Sequence, residues 1–308
     1  MRPRPYAIRW IVPATDADAT PRIVFCHIGS LSCLPALNLV FAELGDRIGL
    51  VLSSEVFAPR HGGFLRQTLE SVRRMGMPLT LWFGFDLVSV KVVSRLARWI
   101  GFVIRRPPAL ATLDALAARH GAQLIPTGNV NSAETIAAVR AYDPDFIVVM
   151  NFDQILKAPL IALPRRGTIN VHPSLLPALR GPCPTVWALA QRRSSSGVTI
   201  HVIDDEKIDA GPVLAQIEVP LDRNTSAAEL NTRLFLTGAG ALRATLDRFA
   251  ADPTMGRRQD LAEGQYLGFP TANEMAALRR SGVRLFRISH AVRLIAAVLG
   301  WPSKLGAM

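Results

Sequence analysis

Asp145-Phe-Ile-Val-Val-Met150 is apolar at every position after its first, and this run restricts the fold more than any other stretch. A strand with one wet face alternates polar and apolar residues. A short run without alternation is covered on both faces, which requires helices on both sides of a mostly parallel sheet. The neighbouring pattern agrees. Arg22 to His27 and Arg47 to Ser53 read as strands, with Leu34 to Leu44 as the helix between them. Leu110 to His120 and Ala133 to Ala141 read as helices around a strand at Gln123 to Ile125. Further on come a strand at Gly167 to His172, a helix at Cys183 to Gln191 and strands at Gly197 to Ile203 and Val213 to Val219. Thr225 to Phe249 is a long helical pattern. The expected class is α/β. A chain of 308 residues, 49% of them hydrophobic, has ample material for its core.

Gly167 to Pro177 reads Gly-Thr-Ile-Asn-Val-His-Pro-Ser-Leu-Leu-Pro. Alternation along the strand puts Asn170 and His172 on one face and Val171 on the other. An amide and an imidazole at a strand's carboxyl end stand where open α/β sheets bind ligands. From this stretch alone, a site and a pair that merely caps a strand are equally good readings. A second polar stretch, Asp204-Asp-Glu-Lys-Ile-Asp209, follows the strand that ends at Ile203, and Ala210-Gly211-Pro212 forces a sharp turn after it. A carboxylate there can orient an imidazole and raise its pKa; taken singly, each acid also fits a solvated loop. His201 alternates with Ile200 and Val202 and reads as a satisfied core histidine. Gly29 at the first strand-to-helix turn reads as a tight turn rather than an anion site, because no dinucleotide or P-loop fingerprint surrounds it.

The formal net charge of +11 favours anionic partners without choosing among them. Three cysteines, Cys26, Cys33 and Cys183, without close paired spacing argue against a disulfide framework or a zinc site. No signal peptide is recognisable, and the expected location is cytoplasmic. The domain reading is an extension at 1–21 with an edge strand at Ala7 to Val12, a main domain at 22–250, and a C-terminal region at 251–308. That last region has a loop-like Gly264 to Pro270 and helices at Thr271 to Ser281 and Val283 to Leu299.

An unusual segment at about 79–106 interrupts the main domain. A helix from Val88 has Val92, Leu96, Ile100 and Val103 on one stripe and Lys91, Arg95, Arg98 and Arg105 on another. Its charges make it a poor transmembrane span. It can pack on its own domain, form a dimer interface, or lie on an anionic membrane or a partner. The last helical stretch offers a similar apolar face at Leu285, Ile288, Val292, Ile295 and Leu299.

The pairing of Asn170-Val-His172-Pro-Ser-Leu-Leu-Pro177 with Asp209-Ala-Gly-Pro212 resembles the formyltetrahydrofolate-dependent formyltransferases. The resemblance covers roughly Asp143 to Gly240 and includes Arg180-Gly181 and Gly197-Val-Thr-Ile-His201. It implies a Rossmann-like, mostly parallel sheet with a short, mainly helical C-terminal region. It implies that formyltetrahydrofolate is the co-substrate, a primary amine of a small molecule the acceptor, and Asn170, His172 and Asp209 the catalytic trio. It also implies that the backbone around Gln154, Ile155 and Leu156, with Ser174 and the loop containing Asp204 and Asp205, holds the folate. Two departures stand out: Asn151 replaces a small residue, and the acidic loop is one residue longer. A nucleic-acid acceptor ranks low, because a tRNA-binding barrel needs more than the roughly 60 residues of the C-terminal region. The rivals are a formyltetrahydrofolate deformylase, for which residues before Arg22 are too few to make the regulatory domain of that group, and a non-catalytic relative that binds a membrane or partner.

Overall fold

The computed structural model describes residues 20–55, 63–105, 107–222 and 224–301. The edge strand expected at Ala7 to Val12, and nearly all of the extension at 1–21, lie outside them. In chain order the elements are β1 (Ile23–His27), α1 (Leu34–Leu44), β2 (Ile48–Ser54), α2 (Gly63–Ile104), α3 (Leu113–Arg119), β3 (Gln123–Thr127), α4 (Ala133–Tyr142), β4 (Phe146–Met150) and α5 (Ala158–Ile161). They continue with β5 (Gly167–His172), β6 (Leu179–Arg180), α6 (Pro184–Ala190), β7 (Ser195–Ile203), β8 (Val213–Pro220), α7 (Ala227–Ala251), β9 (Gln265–Tyr266), α8 (Ala272–Arg280) and α9 (Ile288–Val298).

Seven strands form one sheet in the order β3-β2-β1-β4-β5-β7-β8. The first five run parallel, and β7 and β8 each run antiparallel to the strand before them in that order. The apolar β4 is buried along its whole length, as its sequence requires. Its Phe146, Val148 and Met150 face α1 and α7. Its Ile147 and Val149 face α4 and α5. Against β5 and β7, α7 approaches so closely that a Cβ on Gly238 would stand on Val171 and Val198.

The basic segment differs from expectation. Its helix begins at Gly63 rather than near Val88 and bends at Gly76, whose φ of +80° lies in the region that favours glycine. Pro78 follows, where its missing N–H breaks the helical ladder. The stripe of Val88, Val92, Leu96 and Val103 points outward. Leu79, Trp82, Val90 and Ala97 are buried instead. Small residues at Ser94, Ala97 and Gly101 let this face lie close to its neighbours, which leaves the bulky stripe in solvent.

The C-terminal region is mainly helical, and α9 begins at Ile288, later than its apolar pattern suggests. Its Ile288 and Val292 are exposed, while Ala291, Leu294 and Val298 pack inward. The stretch expected to be loop contains β9, which pairs in parallel with β6.

Within the larger core, Phe41 of α1 meets Phe25 of β1 edge-on at 6.0 Å between ring centroids. Phe41→Ala should lower the unfolding free energy in urea by about 3–5 kcal/mol, and a loss below about 1 kcal/mol would contradict this packing.

Candidate active site

Alternation along β5 turns Asn170 and His172 to the α5 side of the sheet, where Thr168 Oγ1 also donates to Ile161 O at 3.0 Å. On the neighbouring strand His201 stands opposite Asn170. Because β7 is antiparallel, Ile203 lies beside Thr168, at the far end of β5 from His172. The acidic loop that follows Ile203 therefore starts at the opposite end of the sheet from His172 and doubles back to deliver Asp209. The return depends on Gly211, where a Cβ would overlap the Val202 carbonyl. Asp209 itself has a φ of +52°.

The Asp209 carboxylate is the hub of the cluster. Its Oδ1 accepts from Asn170 Nδ2 at 3.2 Å and faces His172 Nδ1 at 3.4 Å and His201 Nε2 at 3.6 Å. Its Oδ2 accepts the Gly181 N–H at 2.9 Å. Gly181 has a φ of +100°, and a Cβ there would collide with Leu267 O. His201 Nδ1 donates to Val202 O at 2.9 Å. Its Nε2 is thereby left to accept from Asn170 Nδ2 at 3.1 Å. His172 Nε2 donates to Leu179 O at 3.1 Å.

Burial is the larger influence on His172 and holds its pKa below the ordinary imidazole value. The Asp209 charge pulls the other way but does not win, so the expected raised imidazole is not found. Burial alone would push the Asp209 carboxyl up. The His172 and His201 rings and the Gly181 N–H outweigh it and hold the carboxyl well below its usual range.

The residues expected around a folate divide into two groups. Ser174 is fully buried and its Oγ donates to Leu179 O at 2.6 Å, so it braces the proline turn rather than facing a ligand. The Gln154 side chain is also committed: Oε1 accepts from Val130 N at 2.7 Å, and Nε2 donates to Ser54 Oγ and Thr127 O, both at 2.9 Å. Leu156 is buried in the α4–α5 core. Ile155 is exposed. Asp205 sits near Lys207 on the surface, whereas Asp204 is half-desolvated, which raises its pKa. Glu206 accepts the Ala158 N–H at 3.0 Å and so joins the acidic loop to the segment after β4. An exposed apolar side chain and a partly desolvated carboxylate on two joined loops suit a flat, amine-bearing heterocycle such as a pterin.

Several contributors escaped the sequence. His201 belongs to the cluster and is not an isolated core histidine. Gln259 donates to Asp209 O at 3.2 Å and to Gly211 O at 2.6 Å, holding the turn from a distant part of the chain. Asn151, with φ of +49°, donates to Ile28 O at 3.0 Å and Ser30 Oγ at 3.2 Å, tying the ends of β1 and β4. At the first strand-to-helix turn the protein supplies its own anion: Asp86 of α2 accepts from Ser32 N at 2.8 Å and Ser32 Oγ at 2.7 Å. Cys183 packs against the cluster around Trp82 and Val186, and burial pushes its thiol up to about 12.

The sequence model of the family described as Formyl transferase matches residues 85–245. Methionyl-tRNA formyltransferase from Geotalea uraniireducens (strain Rf4) is 37% identical over 177 residues, which is 58% of this chain and 55% of that protein. Methionyl-tRNA formyltransferase from Roseiflexus sp. (strain RS-1) is 34% identical over 230 residues, 70% of each chain. The chain spans about half the length of several curated relatives it matches. A sugar N-formyltransferase from Shewanella sp FDAARGOS_354 shares the fold with a TM-score of 0.51 at 18% identity, over 80% of this chain and 76% of that one.

An NMR titration that resolves the imidazoles should find His172 titrating below its ordinary range. Asp209→Asn should move it further down, because the carboxylate is the stronger of the two groups that favour the protonated ring. An upward shift would contradict this account.

Proposed function

Because this chain belongs to the formyl transferase family, we propose that it transfers a formyl group from formyltetrahydrofolate to a primary amine of a small molecule, such as a nucleotide-linked amino sugar. The observation that carries this reading is the convergence of Asn170 and His172 of β5, His201 of β7 and the Gly181 N–H on the buried Asp209 carboxylate.

The amine nitrogen attacks the formyl carbon, and negative charge develops on the formyl oxygen. An N–H of Asn170 turns from His201 to that oxygen, and a preorganised donor of this kind is typically worth about 3–4 kcal/mol in the transition state. His172, anchored through its Nε2–H on Leu179 O, keeps its Nδ1 edge beside Asp209 and so holds the carboxylate in position as the oxyanion forms. The bond from the formyl carbon to the folate nitrogen then breaks. Asp209, charged at neutral pH, takes the proton from the attacking amine and returns it to the departing nitrogen, directly or through one water. The segment at Ile155 and the Asp204 loop hold the pterin end. The deformylase reading uses the same groups with water as the nucleophile, so an assay must separate the two.

Purified protein should be incubated with formyltetrahydrofolate and a panel of nucleotide-linked amino sugars, with products read by mass spectrometry. His172→Ala and Asp209→Asn should each lower turnover by at least about 100-fold while the far-ultraviolet circular dichroism stays unchanged. Near-native turnover in either variant would remove the trio from the mechanism. Release of formate with no acceptor dependence would make the protein a hydrolase, and formylation of methionyl-tRNA in place of the sugars would move the acceptor to nucleic acid.

A further inference from the structure

The outward side of α2 is an uninterrupted apolar stripe. Leu81, Phe85, Val88, Val92, Leu96, Trp99 and Val103 recur at intervals of three and four and are all exposed, Trp99 to 64%. Phe102, at 84%, widens the stripe near the helix end. The opposite side already packs against the domain through Val90 and Ala97, beside Leu294 and Val298 of α9. The outward stripe is therefore surplus to the core, and a contiguous apolar surface of this length marks an interaction site.

Charge selects the occupant. Lys91, Arg95 and Arg98 are exposed along one border of the stripe, each about 100° around the helix from Val92, Leu96 or Trp99. From Ser71 to Ile104 the sequence holds one carboxylate, Asp86, and that one is spent on Ser32. From Arg279 to Trp301, the stretch containing α9, there are five arginines and no acid. Two grooves open along α2. One, of about 780 Å³, is lined by Arg98, Phe102, Val103 and Arg105. The other, of about 1030 Å³, is lined by Met77, Leu81 and Phe85 together with Arg279 and Arg284. Each sets guanidinium groups beside apolar walls, the pairing that a phosphate headgroup with its acyl chain would meet. A second copy of this chain would bring its own arginines against these, so like charges oppose a dimer here.

We propose that α2, with α9 beside it, docks this protein peripherally on an anionic lipid bilayer. The stripe sinks into the interface with Trp99 and Phe102 at the acyl boundary, and Lys91, Arg95 and Arg98 contact lipid phosphates. Among the described residues no helix is long and apolar enough to cross a membrane, so the helix lies along the surface.

Co-sedimentation of the full chain with vesicles of phosphatidylethanolamine and phosphatidylglycerol, beside vesicles of phosphatidylcholine alone, tests this. The protein should pellet with the anionic vesicles, and added salt should release it. Arg95→Glu with Arg98→Glu, and separately Trp99→Ser with Phe102→Ser, should each cut partitioning by at least about tenfold. All four residues are exposed, so thermal melts of the variants should match that of the parent protein. Protein left in the supernatant with anionic vesicles at low salt overturns the proposal, as does equal partitioning into phosphatidylcholine. A dimer in light scattering that Phe102→Ser dissociates, with no vesicle binding, also overturns it and assigns the stripe to a second copy.

Discussion

The site depends on one carboxylate kept charged inside the protein. A buried anion without partners costs far more than a fold of this size can spare. Asp209 is tolerated because the Asn170 amide and the Gly181 N–H each donate to one of its oxygens, with the His172 and His201 rings packed beside it. Each of those partners is fixed by something else. Asn170 and His172 are fixed by the register of β5, His201 by its bond to Val202 O, and Gly181 by a φ that disfavours other residues. The arrangement is preorganised in that the charges and dipoles are aligned before any substrate arrives, so little reorganisation is needed when charge moves.

The change of strand direction at β5 makes this convergence possible. On the parallel side, chain segments leave the strands at one edge of the sheet, as in other doubly wound folds. On the antiparallel side, β7 and β8 are joined by a loop that begins at the other edge. Its backward course over the sheet face puts an acid from the antiparallel half against polar residues of the parallel half. α5, tied to the same loop through Glu206, closes the face beyond it.

Much of this was legible from residues alone, and the gaps have physical causes. The two-residue period of a strand is rigid, so the shared face of Asn170 and His172 followed directly from spacing. Helix period was as reliable for α1, whose bounds match the reading from sequence. In α2 it failed to say which of two apolar faces was inside, because small residues at Ser94 and Ala97 pack tightly while carrying a weak hydrophobic signal. His201 was misread because alternation shows which side a residue faces but not which neighbour awaits it there. β9 could not be seen because two residues have no periodicity; their pairing is stabilised wholly by β6. Gln259 was invisible for the same reason: its partners are backbone carbonyls about 50 residues away.

The position of β9 bears on how the molecule loosens. Leu267 N donates to Arg180 O at 3.0 Å, one residue before the glycine that grips Asp209. Arg257 exchanges two backbone bonds with Val213, both at 2.9 Å, just past the Pro212 turn. The segment from Arg257 to Leu267 thus touches the chain on both sides of the carboxylate, yet it contributes almost nothing to the large core. Segments with few apolar contacts open at a small fraction of the global unfolding free energy. Excursions of this strap would slacken the Asp209 turn while the seven-stranded sheet stayed intact. Amide exchange at Gly181 would then report a subglobal opening that a melting curve of the whole protein averages away.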